Sequence, residues 1–349
     1  MPAGLIPRLV VFLALAMAVT AGLVLYAEGD ELLDALEDFT WWVIIPVILL
    51  VLANYALRFL RWQYYLRALN ADEGLSLAWS ALIFLSGLAM VITPAKVGEW
   101  IKSYFLREFN GTPISRSAPL VFIERLTDAW SVALLALLGL VLFSPSYWPL
   151  FGTFIVLQVV FWVAIRYRPL ANWILGFLHR VPLVARAGTH LDVLYDATYT
   201  LLAPGRLAVA LALGFIGWSC EAGALYLVIY GLTDMGSMEV FVKSAFIMST
   251  ASLAGALFIV PGGLGISETG ITALGRELLD LTRSTAAATT LLIRFFTLWF
   301  GVAVGLIALF VVARHLDRRA TTAASEPGEF SLASDRARQP IEPTSLPRS

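Results

Sequence analysis

Long stretches with few or no charged side chains dominate this sequence and restrict what it can fold into. A helix that crosses a bilayer needs about 20 mostly apolar residues. Hydrophobic residues make up 59% of the chain and charged residues 14%, too few polar side chains to cover a water-soluble domain. The sequence therefore predicts an all-α polytopic membrane protein. Eight candidate stretches lie near residues 9–27, 41–60, 77–95, 118–143, 148–165, 207–231, 240–260 and 286–313.

The composition also argues against several functional classes. A formal net charge of −1 provides no basic surface for nucleic acid. The single cysteine, Cys220, excludes disulfide frameworks and cysteine-bound metal clusters. The three histidines, His179, His190 and His315, are too scattered to suggest a metal site. We therefore expect no nucleic-acid partner, no metal and no cofactor.

The distribution of charge between the apolar stretches predicts an orientation, because Lys and Arg near helix ends stay on the cytoplasmic side. Residues 28–38 are acidic and are predicted to lie outside, whereas 166–206 and 314–319 are rich in arginine and are predicted to lie inside. A full crossing at 77–95 would put the basic residues of 96–116 outside, against this rule.

Two helical hairpins that enter the membrane without crossing it remove this conflict. The first, from 77 to about 110, would enter from the cytoplasm and turn at Thr93-Pro94. The second, from 240 to about 275, would enter from outside and turn at 261–263. Irregular backbone is tolerated at such depth when it packs inside protein or lines a wet cavity. The prediction is six full spans plus two oppositely oriented re-entrant hairpins in the cytoplasmic (inner) membrane, with both termini cytoplasmic.

The two hairpin tips resemble each other in sequence. Residues 92–98 align with 259–265 at an offset of 167, and at an offset of 169 seven of the 32 positions from 99 to 130 are identical. The matches include Glu99 with Glu268 and Arg125 with Arg294. This pattern is typical of transporters built from inverted-topology repeats, here about 5–143 and 148–315 of a transmembrane domain covering 1–320. The alternative is that any broken membrane helix selects similar proline and glycine residues.

Two segments lie outside this repeat pattern. Apolar residues at helical spacing near 183–202 predict an interfacial helix on the cytoplasmic surface. Residues 321–349 are rich in Ser, Pro, Glu and Arg, and are predicted to form a disordered cytoplasmic tail.

Charged side chains inside spans cost at least about 2.5 kcal/mol each to insert, so they usually face a cavity or a partner. Arg58 and Arg61 could instead be snorkelling anchors, and the acidic and basic residues of 124–128 could form a closed ion-pair network. If the segment after Pro94 is helical, Lys96 and Glu99 lie on the same face as Trp100, and Lys102 lies on another. The candidate headgroup-binding residues are Arg58, Arg61, Lys96, Glu99, Lys102, Glu124, Arg125, Asp128, Glu221, Gly262, Gly263, Gly265, Glu268 and Arg294.

The run from Pro261 to Glu268 is the most informative of these. Three glycines in five positions, Gly262, Gly263 and Gly265, allow close approach of the backbone to a ligand or a helix. The helix expected to start there favours negative charge. No GKS or GKT sequence follows, which argues against a nucleotide-binding loop. Glu221 and Arg294 interrupt other spans, and they would either pair with each other or face a central cavity.

These motifs together resemble the transmembrane, flippase-like region of bacterial lysylphosphatidylglycerol synthases and its stand-alone relatives. The resemblance rests on residues 58–62, on Pro94-x-Lys96-x-Gly98-Glu99-x-x-Lys102, on residues 124–128, and on Pro261-Gly262-Gly263-x-Gly265-x-x-Glu268. Members of the family often have Arg where this chain has Lys96 and Lys102. The full synthases carry a soluble aminoacyl-transferase domain after this region, whereas only a short polar tail follows residue 320 here. The resemblance therefore implies lipid handling without lipid lysylation.

We accordingly expect a non-enzymatic protein that moves the head of an anionic phospholipid, or of a polyprenyl-phosphate-linked glycolipid, between leaflets. Membrane lipids are the expected partners, and a homo-oligomer is left open. Glu99 and Glu268 would balance the cations and could couple movement to protons. The main alternative is a membrane enzyme or accessory subunit that acts on a polyprenol-linked sugar, and a third is a scaffold for a partner's helices.

Overall fold

A computed structural model describes residues 17–27, 29–93, 98–143, 148–178, 188–258 and 260–325 of the chain. All regular secondary structure within these ranges is helical. The helices of the first half are α1 (Met17–Tyr26), α2 (Gly29–Glu37), α3 (Ile44–Ala68), α4 (Leu77–Ala89), α5 (Ile101–Asn110) and α6 (Ile114–Phe143). The remaining helices are α7 (Trp148–Arg166), α8 (Arg168–Leu178), α9 (Gly188–Leu201), α10 (Pro204–Thr233), α11 (Met238–Leu257), α12 (Ile266–Leu279), α13 (Arg283–Arg294) and α14 (Phe300–Ser325).

Four helical segments among the described residues are long and apolar enough to cross a membrane. They are Trp41–Ala68, Pro204–Thr233, Met238–Leu257 and Arg283–Arg319. Shorter apolar helices cover Met17–Tyr26, Leu77–Ala89 and Phe151–Arg166. The all-α membrane class is therefore confirmed, whereas the six spans, the re-entrant hairpins and the inverted repeat stay predictions.

The chain breaks helical geometry near both predicted turning points. Met90–Ile92 form a 3₁₀ turn after α4, and the Thr93 hydroxyl accepts a hydrogen bond from the Gly98 amide at 2.8 Å. A second 3₁₀ turn, Pro261–Gly263, follows α11. Its residues Gly262 and Gly263 have φ of 62° and 69°, and Gly265 has 83°. A residue with a Cβ atom is strained at such positive φ angles, which explains why these positions are glycines.

Close helix pairs hold these two breaks against each other. Helix α3 packs along α10, α4 along α14, and α11 along α6, while α12 doubles back on α11. A Cβ at Gly305 of α14 would overlap the Ala89 backbone nitrogen, so these helices approach at backbone distance. Small residues commonly provide such contacts between membrane helices.

Three further features concern the helices of the second half. A π-helical turn, Phe295–Trp299, joins α13 to α14. The predicted interfacial segment contains α9, whose side chains Ala197, Thr198 and Leu201 are buried and which packs along α6. Helix α14 continues to Ser325, five residues into the predicted tail, and the rest of that tail lies outside the described residues.

Candidate functional site

Seven charged side chains from α3, α5, α6 and the turn before α5 meet in the interior. Asp128 is at the centre, with its carboxylate 2.5 Å from Arg61 Nη2, 3.1 Å from Arg125 Nη2 and 3.5 Å from Arg58 Nη2. Arg61 is almost fully buried. A buried ion costs several kcal/mol to desolvate unless partners compensate it, so this geometry requires all of these contacts together. We call Arg58, Arg61, Glu99, Lys102, Glu124, Arg125 and Asp128 the first charge cluster.

Lys102 is a second deeply buried cation of the first charge cluster, with a side chain 2% exposed. Its Nζ lies 2.6 Å from Glu124 Oε2, 3.6 Å from Glu99 Oε2 and 4.9 Å from the centre of the Trp62 ring. The ring face adds a favourable cation–π contact. Glu99 in turn lies 3.5 Å from Arg125 Nη1, and therefore links Lys102 to the Asp128 group.

The prediction that Glu99 and Trp100 share a helix face apart from Lys102 is wrong. Glu99 is 3% exposed and contacts Lys102, whereas Trp100 is 52% exposed. The reason is that residues 98–100 form a short 3₁₀ turn before α5 begins at Ile101, so continuous α-helical spacing does not apply. Lys96 lies outside the described residues.

A second charge cluster, Glu268 with Arg294, lies at the Pro261–Gly263 turn. Arg294 Nε donates to Glu268 Oε1 and Arg294 Nη2 donates to the Gly262 carbonyl, both at 2.5 Å. Glu268 Oε2 accepts from the Gly265 amide at 2.7 Å, as in a capping box. The negative charge that this helix start favours is therefore supplied by Glu268 itself.

Glu221 of α10 contacts the middle of α3. Asn54 Nδ2 donates to Glu221 Oε1 at 2.5 Å. Of the two predicted arrangements, the structure has the second, in which Glu221 and Arg294 both line a central cavity. Asn54 is the hydrogen-bonding partner of Glu221, and Glu268 is that of Arg294.

The central cavity has a volume of about 310 Å³ and lies between the two charge clusters. Arg58, Arg125 and Arg294 supply three positive charges to its wall, and Asp128 and Glu221 supply two negative ones. Its lining therefore has a net charge of +1 when all five are ionised. The rest of the wall includes Tyr55, Val132, Trp218, Met248, Gly262, Gly263 and Ser267.

A second cavity of about 690 Å³ lies between α1 and α12. Its polar lining includes Tyr26, Glu268, Thr272, Arg276 and Glu277, and Arg276 Nη1 donates to the Tyr26 hydroxyl at 2.6 Å. Because Arg294 lines the central cavity and Glu268 lines this one, their ion pair lies between the two cavities.

The predicted site residues within the described ranges thus divide into three groups. Those that line the central cavity are Arg58, Arg125, Asp128, Glu221, Gly262, Gly263 and Arg294. Gly265 and Glu268 line the second cavity. Arg61, Glu99, Lys102 and Glu124 are buried behind the central cavity wall, in contact with residues of the first charge cluster.

Comparison of the sequence with known families identifies the group to which the molecule belongs. The model of the lysylphosphatidylglycerol synthase TM region matches residues 11–305. The chain belongs to this family. It is also 26% identical over 231 residues to the UPF0104 membrane protein MJ1078 of Methanocaldococcus jannaschii, covering 64% of this chain and 94% of that protein. Membership of the lysylphosphatidylglycerol synthase TM family identifies a multi-pass membrane protein and suggests a lipid-related role.

Both charge clusters and both helix breaks lie within the range that matches the lysylphosphatidylglycerol synthase TM family. Sequence reasoning missed Asn54, Tyr55 and Trp218 as parts of the site. Asn54 carried a usable signal, since it is a polar residue within the apolar stretch 41–60 and is buried. Tyr55 and Trp218 carried none, because aromatic residues are common in membrane helices.

Proposed function

We propose that this protein moves the polar head of an anionic lipid between the leaflets of the cytoplasmic membrane. The observation that carries the proposal is the central cavity, in which Arg58, Arg125 and Arg294 converge on a space of about 310 Å³. A planar guanidinium matches the oxygens of a phosphate group. The volume suits a headgroup, with the acyl chains left in the bilayer.

Unused donors support a polar occupant. The Nε–H groups of Arg58 and Arg125 are buried and have no hydrogen-bond partner within the described part of the chain. Buried polar groups are almost always hydrogen-bonded in native proteins, to protein, water or ligand. A phosphate in the cavity would satisfy such donors and offset the net positive charge of the wall.

The proposal includes an inverted repeat, which the contacts of the two halves support. Glu99 pairs with Arg125 and Glu268 pairs with Arg294, each 26 residues apart and separated from its counterpart by 169. The packing of α4 on α14 has its counterpart in the packing of α11 on α6. Inverted repeats of this kind in transporters form a site near the membrane midplane from broken helices.

The proposed path runs from the central cavity past the second charge cluster to the second cavity. The ion pair of Glu268 with Arg294 would have to open for a headgroup to pass. A phosphate that approaches Arg294 competes with Glu268 for the same guanidinium, so the substrate itself would favour opening.

The test is transport of fluorescent anionic phospholipid or polyprenyl phosphate in vesicles containing the purified protein. We expect leaflet exchange above that of empty vesicles for at least one anionic lipid. Arg125→Ala and Arg294→Ala should each reduce the rate at least about tenfold, because each removes a charge-assisted contact worth about 1.5–3 kcal/mol.

Arg107→Ala is the matched control, since Arg107 is an exposed arginine that does not line the central cavity. Thermal unfolding and gel filtration would establish that each variant is folded. Absence of exchange across several lipid classes, or wild-type rates in both cavity variants, would contradict the proposal.

A further inference from the structure

Helix α8 is an amphipathic helix that the sequence analysis did not predict. It follows α7 directly, with a bend at Tyr167, and its main packing contact is with α7. Trp173 is 70% exposed, and Tyr167 and Leu170 are also exposed. Exposed aromatic and aliphatic side chains on a short amphipathic helix are typical of helices that lie in the membrane interface.

Two arginines at the bend between α7 and α8 stack on one ring. The guanidinium carbons of Arg166 and Arg168 lie 3.9 and 4.6 Å from the centre of the Tyr199 ring. No carboxylate oxygen within the described ranges lies within 4.0 Å of either guanidinium. Two like charges are thus held on one ring with no carboxylate at ion-pair distance in the described part of the chain, an arrangement that an anion would stabilise.

The two arginines differ in what the fold requires of them. Arg166 Nη1 donates to the Tyr199 carbonyl at 3.3 Å and so satisfies a backbone acceptor in the last turn of α9. Arg206 does the same for the Thr200 carbonyl at 2.9 Å. Arg168 is exposed and stacks on Tyr199 without such a bond. A purely structural role therefore explains Arg166 but not Arg168.

We propose that this bend binds the phosphate of an anionic phospholipid in the surrounding leaflet, with Arg168 as the principal contact. The ligand is a membrane lipid because the arginines adjoin the exposed side chains Tyr167, Leu170 and Trp173, and aromatic and basic side chains of this kind are typical of the headgroup level. None of these residues lines the central cavity, so the site is separate from the proposed translocation path.

The experiment measures lipid binding to the intact protein in mild detergent by native mass spectrometry. Phosphatidylglycerol and phosphatidylcholine are titrated separately, and inorganic phosphate is added as a competitor. We expect Arg168→Gln to weaken phosphatidylglycerol binding about fivefold, the effect of one juxtamembrane charge. Phosphatidylcholine binding should not change, and inorganic phosphate at the lipid's concentration should not compete.

The control variant is Arg107→Gln, because Arg107 is also an exposed arginine over a tyrosine ring, but its partner Glu108 lies 2.9 Å away. It should bind phosphatidylglycerol as the wild type does. Arg168→Lys, which keeps the charge, should retain most of the affinity. It therefore serves as a control that the loss in Arg168→Gln comes from the charge and not from a folding defect. Equal affinity in Arg168→Gln and wild type would overturn the proposal, and so would competition by inorganic phosphate.

Binding at the central cavity is separated by repeating the titration in an Arg125→Ala background. The loss caused by Arg168→Gln should be the same there, because the two sites share no residue. A loss that disappears with Arg125 would assign the lipid to the cavity and overturn the proposal. The outcome does not depend on whether the protein transports lipid.

Discussion

At the scale of the residue, the most unusual feature is the buried pair of Lys102 with Glu124. Buried ion pairs are weak evidence for stability, because desolvation can exceed their attraction. At the positions 169 residues later the chain has Ile271 and Ile293, both buried in an apolar core. At equivalent positions of the proposed repeat, the first half therefore has a buried ion pair and the second half has two apolar side chains.

This comparison predicts a strongly non-additive pair of substitutions. Lys102→Ile alone should destabilise the protein by about 3–5 kcal/mol, because it leaves Glu124 as an uncompensated buried charge. Glu124→Ile alone should cost less, because Lys102 keeps Glu99 as a partner at 3.6 Å. The double variant should recover most of that loss, since Glu99 keeps Arg125 as its partner. Thermal unfolding in detergent of the two single variants and the double variant measures the coupling. If the loss of stability in the double variant equals the sum of the two single losses, each side chain stabilises the fold by contacts other than the ion pair between them.

The sequence identified the charged residues of the site but not their partners. Insertion cost alone marks Arg125, Asp128 and Arg294 as unusual. That Asp128 contacts three arginines from two helices depends on the angle between α3 and α6, which no local pattern encodes. The position of Glu99 was misjudged because a short 3₁₀ turn interrupts the helical spacing.

At the scale of the element, glycines determine how closely α4 and α14 approach. A Cβ at Gly305 would overlap the Ala89 nitrogen and lie 2.9 Å from the Leu88 carbonyl carbon. Backbone atoms cannot rotate away as a side chain can, so an added methyl group must push the helices apart. Because the 3₁₀ turn after α4 continues from Ala89, this packing also positions the first helix break.

Gly305→Ala should therefore destabilise the protein by about 1–3 kcal/mol, as expected for overpacking. Gly152→Ala in α7 is the control, since its Cβ would have no atom within 4 Å, and it should be neutral or stabilising by up to about 1 kcal/mol. Thermal unfolding of both variants tests the difference. Similar midpoints for the two would mean that the helices adjust to the added methyl group without cost.

The elements themselves were partly predictable. Proline and glycine mark both breaks in the sequence, and helix breaks occur at Met90–Thr93 and at Pro261–Gly263. Helix α8 was not predicted because its residues fall within an arginine-rich stretch that was interpreted only as a topology signal. The burial of α9 against α6 depends on tertiary packing, which its own periodicity does not specify.

At the scale of the whole molecule, an inverted repeat predicts that equivalent residues of the two halves face opposite sides of the membrane. Glu108 and Glu277 are exposed and lie 169 residues apart, at matching places beyond the two helix breaks. In a Cys220→Ser background, a cysteine in place of Glu108 should react with an impermeant reagent from the cytoplasmic side only. A cysteine in place of Glu277 should react from the opposite side only. Labelling of both from one side would rule out opposed hairpins.

The π-helical turn between α13 and α14 begins directly after Arg294 and so offers a way of reorienting this side chain. Such a turn holds one residue more than an α-helical turn, and it can pass along a helix by exchanging hydrogen bonds one at a time. Each step would turn the residue that it passes by about 100° about the helix axis. A step past Arg294 would turn it away from Glu268 while both helices stay intact. The hydrogen bond that the Tyr55 hydroxyl donates to the Thr297 carbonyl, at 3.1 Å, would stabilise the π-helical turn in its present position.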